Sequence, residues 1–202
     1  MSPADRIGGM ADEEVTTTAE GEVETAATEE ERRAHHAAAM MLVRQYPDPA
    51  LRIAADPVAT VDDGVRRLVE RMTDVMRQSH GVGLAAPQMG VLRRVLIYRV
   101  SPDGDIHVLV NPELRERSEE TSVDTEGCLS LLGGEIQVPV ERHVSVVATA
   151  LNASGEPVEV AAEGLEARVI QHEVDHLDGV LIIDRASKED RRAALRDLRL
   201  RA

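Results

Sequence analysis

Two histidines and a glutamate in the segment His172-Glu173-Val174-Asp175-His176 carry the clearest chemistry in the chain. Histidines four apart on a helix project from one face about one turn apart, so both imidazoles can reach a single ion. A glutamate next to the first can face a water on that ion and act as general base. A hydrolytic metal site also needs a third protein ligand and an open position. No histidine occurs in the 26 residues after His176, and the nearest later acids, Asp178, Asp184, Glu189 and Asp190, fall at a helix end, beside a strand or at a cap. The third ligand is therefore expected upstream. Cys128, the chain's one cysteine, in Glu126-Gly127-Cys128-Leu129-Ser130, is the candidate. A further segment, Gly81-Val82-Gly83-Leu84-Ala85-Ala86-Pro87-Gln88, consists mostly of small residues that let another backbone approach closely. It lacks the lysine of a phosphate-binding loop.

These groups need elements to hold them. A helix over about Glu163 to Asp178, closed by Gly179, carries the histidines. Asp62 or Asp63 caps an earlier helix whose apolar face is Val65, Leu68, Val69, Met72, Val75 and Met76, with Gly81 as its stop. Strand signals occur at Val95 to Tyr98, at Ile106 to Val110 (halted by Asn111-Pro112), at Ile136 to Val140, at Val144 to Leu151 and at Val158 to Val160. Leu181-Ile182-Ile183 reads as a short strand, and Ser187 caps a final helix to about Leu200. Hairpins dominate, and helices do not alternate regularly with strands. The expected fold is α+β, with largely antiparallel sheets packed around the helix that carries the histidines, plus a C-terminal helix.

Composition narrows the function. The 202 residues include no Phe or Trp and two Tyr, so the core is aliphatic and aromatic stacking on single-stranded nucleic acid is excluded. A formal charge of −14 argues against DNA as a partner. One cysteine leaves no internal disulfide framework, and no apolar run approaches the roughly 20 residues of a membrane span. Residues 1–40 hold ten acidic residues against three arginines and few large aliphatics. They read as an acidic disordered tail in front of a catalytic domain at 41–202. His35 and His36, near the end of that tail, carry no expected role.

The three chemical segments, taken together and in this order, resemble those of the peptide deformylase family. Tyr46-Pro47-Asp48-Pro49 with Leu51 and Arg52 is similar to that family's opening segment, and the likeness runs from about Tyr46 to Asp184. The resemblance implies removal of the formyl group from the N-terminal N-formylmethionine of new polypeptides, releasing formate in the bacterial cytoplasm. It places Cys128, His172 and His176 at the metal-ligand positions and Glu173 at the general acid/base position. Gln88 and the Leu129 N–H take the positions that hydrogen-bond the formyl oxygen. Val82 and Gly83 are where the backbone pairs with the peptide as an added strand, and Glu126 and Arg168 are further expected substrate contacts. Two imidazoles and a thiolate suit Fe²⁺, Zn²⁺, Ni²⁺ or Co²⁺, and the resemblance points to Fe²⁺.

Some residues depart from the family pattern. Leu132 stands where a proline is common, Val140 where an arginine follows the Val-Pro pair, and Glu135 near another common arginine. Arg142 lies two residues beyond Val140 and so on the same strand face, from which it is expected to pair with Asp175. Arg168, one turn before His172, is expected to narrow the pocket for the methionine side chain. Seven basic residues between Arg185 and Ala202, against three acidic ones, suggest a ribosome contact through the C-terminal helix. Two other readings fit parts of the pattern: a metallopeptidase sharing the helix motif, or a catalytically weak relative that binds N-terminal peptides.

Overall fold

A computed structural model describes residues 28–201. It contains five α-helices: α1 (Glu29–Met40), α2 (Asp63–Gln78), α3 (Gly164–Leu177), α4 (Ile182–Arg185) and α5 (Lys188–Arg201). Strands β1 (Gly83–Ala85), β2 (Val95–Tyr98), β3 (His107–Arg117), β6 (Ser145–Leu151) and β7 (Pro157–Glu163) form one antiparallel sheet in that order. Strands β4 (Thr121–Gly127) and β5 (Gln137–His143) form a separate antiparallel pair.

Helix α3 lies at the centre. Apart from His172, which is partly buried, every side chain from Ala167 to Leu177 is buried, as expected of a helix enclosed on all sides. Ala167, Ile170, Val174 and Leu177 pack on Leu96, Tyr98, Ala148 and Ala162 of the five-stranded sheet. A second cluster joins Leu68, Met72, Val75 and Met76 of α2 to Leu84, Val95 and Ile97. A third places Cys128 among Leu131, Val138, Val140, Leu181, Ile183 and Leu198. The fold is α+β with antiparallel sheets around the histidine-bearing helix, and α5 closes one side. The Asp62 carboxylate accepts from the Val65 N–H to cap α2, and the Ser187 hydroxyl accepts from Asp190 N–H to start α5.

Several expectations are corrected. Residues 29–40 are helical rather than a continuation of a disordered tail, while the expectation for 1–27 lies outside the described residues. Thr28 and Glu31 cap each other reciprocally, and Ala39 is buried in the α2 cluster. Strand β3 does not stop at Asn111-Pro112. It continues to Arg117 through a register shift, where Asn111 takes φ +52° and bonds the Val58 backbone on both sides at 2.8 Å. A bulge tolerates a proline because it removes one ladder position from pairing. The apolar run 181–183 opens a helical turn rather than a strand, with Asp184 accepting from the Leu181 N–H. Its length alone could not separate the two.

Candidate metal centre

Helix α3 points both histidines toward the turn that follows β4. The ligating atoms of Cys128, His172 and His176 all lie within 4.8 Å of one another, with Cys128 Sγ 3.2 Å from His176 Nε2. Zinc–sulfur and zinc–nitrogen bond lengths in a tetrahedron put such ligand atoms about 3.5 Å apart. The donor set therefore fits one divalent ion. His172 Nδ1 lies 2.9 Å from Glu126 Oε2. A carboxylate only accepts, so Nδ1 carries the proton and Nε2 is left with its lone pair for a metal. His176 has no such support: among the described residues its Nδ1 has no hydrogen-bond partner.

Glu173 is 4 % exposed, and its Oε2 also lacks a partner among the described residues. Burial pushes its carboxyl up to about 7, so a proton is gained or lost near neutrality. Gly83 of β1 makes room for it, since a Cβ there would overlap Glu173 Oε1 and lie 2.8 Å from Cδ. Gly83→Ala should accordingly displace the carboxylate. We expect kcat to fall by about two orders of magnitude, the general acid/base contribution, with the melting temperature within a few degrees of the parent. An unchanged kcat would mean that Glu173 need not lie against β1.

Glu126 forms the hub behind the ligands. Its two carboxylate oxygens accept from Arg142 Nε and Nη2 at 2.9 Å each, and Oε1 also accepts from Arg168 Nη1 at 2.7 Å. Burial alone would raise its pKa, yet the bonds from His172 and Arg142 hold it well below the usual carboxylate range. Arg142 also donates to Asp175 Oδ2 at 2.6 Å, as its strand position suggested, and Arg185 donates to the same carboxylate. A chain of ion pairs thus runs from α4 to the first histidine. Burial disfavours charge on His172 and His176 alike. Without a metal, neighbouring Cys128 and Glu126 hold His172 above the ordinary histidine range, so its Nε2 becomes a ligand only by giving up that proton, whereas His176 falls well below the range.

Glu126 and Arg168, the further expected substrate contacts, both border the cleft, and both are engaged within the protein. Both Glu126 oxygens are consumed within the protein. Arg168 borders the cleft, but its guanidinium bonds Glu126, Val140 O and the Ser122 carbonyl and hydroxyl. It clamps β4 to β5 rather than narrowing a side-chain pocket. The cleft itself, about 470 Å³, is lined by Val82, Gly83, Gln88, Leu129, Val169 and Glu173 among others. Gln88 Oε1 accepts from Ala85 N–H at 2.8 Å, which turns its NH₂ toward Ser130 Oγ (3.3 Å) and Cys128 Sγ (3.8 Å). Strand β1 is a sheet edge. Val82 O accepts from Arg99 N–H, so by antiparallel alternation Gly83 presents its N–H and C=O to the open side.

The sequence did not single out Gln45. It donates to Leu129 O at 2.9 Å and accepts from Leu132 N–H at 3.0 Å, bracing the Cys128 turn. Its neighbours Arg44 and Tyr46 donate backbone N–H groups to Gln88 O and Ser130 O. The match of Tyr46 to Arg52 to a known opening segment was the available signal, and it stopped one residue short.

The family model for polypeptide deformylase matches residues 40–192. The chain belongs to the peptide deformylase family. A curated peptide deformylase from Parafrankia sp. is 47% identical over 157 residues, covering 78% of this chain and 84% of that protein. The crystal structure of peptide deformylase from Thermotoga maritima superposes with a TM-score of 0.68 at 45% identity, covering 72% of this chain and 96% of that one. A peptide deformylase from Synechococcus elongatus in complex with actinonin gives a TM-score of 0.72 at 33% identity, covering 77% and 84%. Deformylases are metal-dependent hydrolases that remove the formyl group from N-formylmethionyl nascent peptides. No described helix of this deformylase is long and apolar enough to cross a membrane.

Proposed function

We propose that this site hydrolyses the formyl amide of N-formylmethionyl peptides, with Cys128, His172 and His176 holding one Fe²⁺. The convergence of three donor atoms beside a buried, unpartnered Glu173 carries the reading. When bound, the ion supplies Lewis acidity, lowering the pKa of a water toward 7 and polarising the formyl oxygen. Glu173 accepts that water's proton and returns it to the departing amine, which carries the peptide and cannot leave as an anion. Gln88 Nε2 and the Leu129 N–H donate to the formyl oxygen as charge develops on it, each contributing about 3–4 kcal/mol. The free edge of β1 at Gly83 receives the peptide as an added strand. A formyl carbon bears no side chain, so the narrow approach beside Gly83 admits it in preference to bulkier acyl groups.

Two imidazoles and a thiolate also suit Zn²⁺, Ni²⁺ and Co²⁺. Iron beside a thiolate makes the enzyme oxygen-sensitive. We place the enzyme in the bacterial cytoplasm, where nascent chains emerge, and its ribosome contact on α5. There Arg192, Arg196 and Arg199 are exposed beside Leu195 and Leu200, and no ion pair neutralises these arginines among the described residues. Affinity for ribosomes should then fall steeply with salt; a flat salt response removes α5 as the contact. The catalytic reading is tested with anaerobically prepared, iron-loaded protein. Formate should be released from formyl-Met-Ala-Ser, and an acetyl-blocked peptide should stay intact. Internal cleavage of the blocked peptide, or no formate, overturns it.

A further inference from the structure

Helix α1 precedes nearly all of the matched family segment, which begins at residue 40. It nonetheless borders the catalytic cleft. His36 of α1 lines the same cleft as Glu173 and Cys128. Its ring stacks on His80, with centroids 5.7 Å apart and planes 16° from parallel, and its Nδ1 lies 3.3 Å from Gln78 O. A carbonyl only accepts, so Nδ1 is the donor and the ring orientation is fixed at the C-terminal end of α2.

The helix is also held beyond His36. At its far end Ala39 is buried, and Met40 Cε reaches the turn at Gly133, where a Cβ would sit 3.6 Å from it. Gly133 and Gly134 line the same cleft as His36 and His80. Helix α1 therefore borders the cleft through His36, beside the end of α2, while Met40 touches the turn after Cys128.

The direction of an incoming chain follows from β1. Gly83 offers its N–H and C=O to the open side, against Glu173, and the chain before it runs through Val82 and Gly81, whose carbonyls accept from Arg99, to His80, where φ is +57° and the backbone turns into α2. An extended peptide advances about 3.3 Å per residue. A chain paired to this edge, with its first residue at Glu173, therefore reaches His80 and His36 two or three residues later.

We infer that α1 is the outer wall of the substrate cleft, and that the stacked His36–His80 pair is a specificity element for the second and third residues after the formylmethionine. The ring faces give van der Waals surface to an extended backbone, so the contact depends on substrate length more than on side-chain identity. The inference rests on the deformylase reading of the site.

The test compares kcat/KM for formyl-Met-Ala and formyl-Met-Ala-Ser-Ala in the full-length, iron-loaded enzyme. For His36→Ala the ratio of the longer to the shorter substrate should fall about fivefold, through KM on the longer one. His36→Phe, which keeps a flat ring, should restore most of it. If His36→Ala unseats α1, seen as lost helical circular dichroism, the ratio should fall further because the wall goes with it. A ratio unchanged within twofold, an equal loss on both substrates, or a loss confined to kcat overturns the inference. No formate from formyl-Met-Ala with the parent protein would instead overturn the underlying reading.

Discussion

Replacing Glu173 by glutamine is expected to cut formate release roughly 10²–10⁴-fold, the contribution of a positioned general acid/base, while the variant still binds one equivalent of metal. Glutamine keeps the shape of the side chain beside Gly83, so the loss reports the proton and not the packing. The same substitution has an opposite effect on stability once the metal is chelated. Burial raises the carboxyl from its ordinary 4.5 to about 7. Its protonated form therefore favours folding below pH 4.5, and that contribution is lost as pH rises through 7. Glutamine has no such proton to lose. Between pH 5 and pH 8, chelated Glu173→Gln should gain about 2 kcal/mol relative to the chelated parent. Urea unfolding at the two pH values measures this. An equal difference at both would show that the carboxyl is solvated in the folded protein.

Arg142→Leu should be the most destabilising single change near the site, by about 3 kcal/mol. The guanidinium, 5 % exposed, spans Glu126 and Asp175. Its removal leaves two buried carboxylates short of charge. Arg168 remains on Glu126 and Arg185 on Asp175, which places the loss at the lower end of the range for broken buried pairs. Arg142→Lys should recover little, because an ammonium cannot fork across both oxygens of Glu126. Metal affinity should also drop, since Glu126 orients His172. A denaturation midpoint that moves by less than 0.5 kcal/mol equivalent, as a rough threshold, would mean that the remaining arginines suffice.

The parts of the site that sequence made legible are those fixed by local spacing. Histidines at i and i+4 have one geometric consequence, and a lone cysteine left few alternatives for the third donor. What escaped was held by long-range partners. Glu126 was expected only to touch substrate; it borders the cleft, but the partners that hold it come from residues 142, 168 and 172. Strand β4 is polar at nearly every position, so no alternation betrayed it; only its pairing with β5 defines it. Three-residue β1 is too short for a period. Helix α1 was hidden by composition: its acidic first turn resembles the charge of the residues before it, while the contacts that seat it, Ala39 and Met40, lie at its end.

The inward face of β5 reads Val138, Val140, Arg142, three successive buried slots, the valines among aliphatics and the arginine on Glu126 and Asp175. A guanidinium can migrate between such slots in steps of two without changing which side of the ribbon it occupies; a step of one would throw it into solvent.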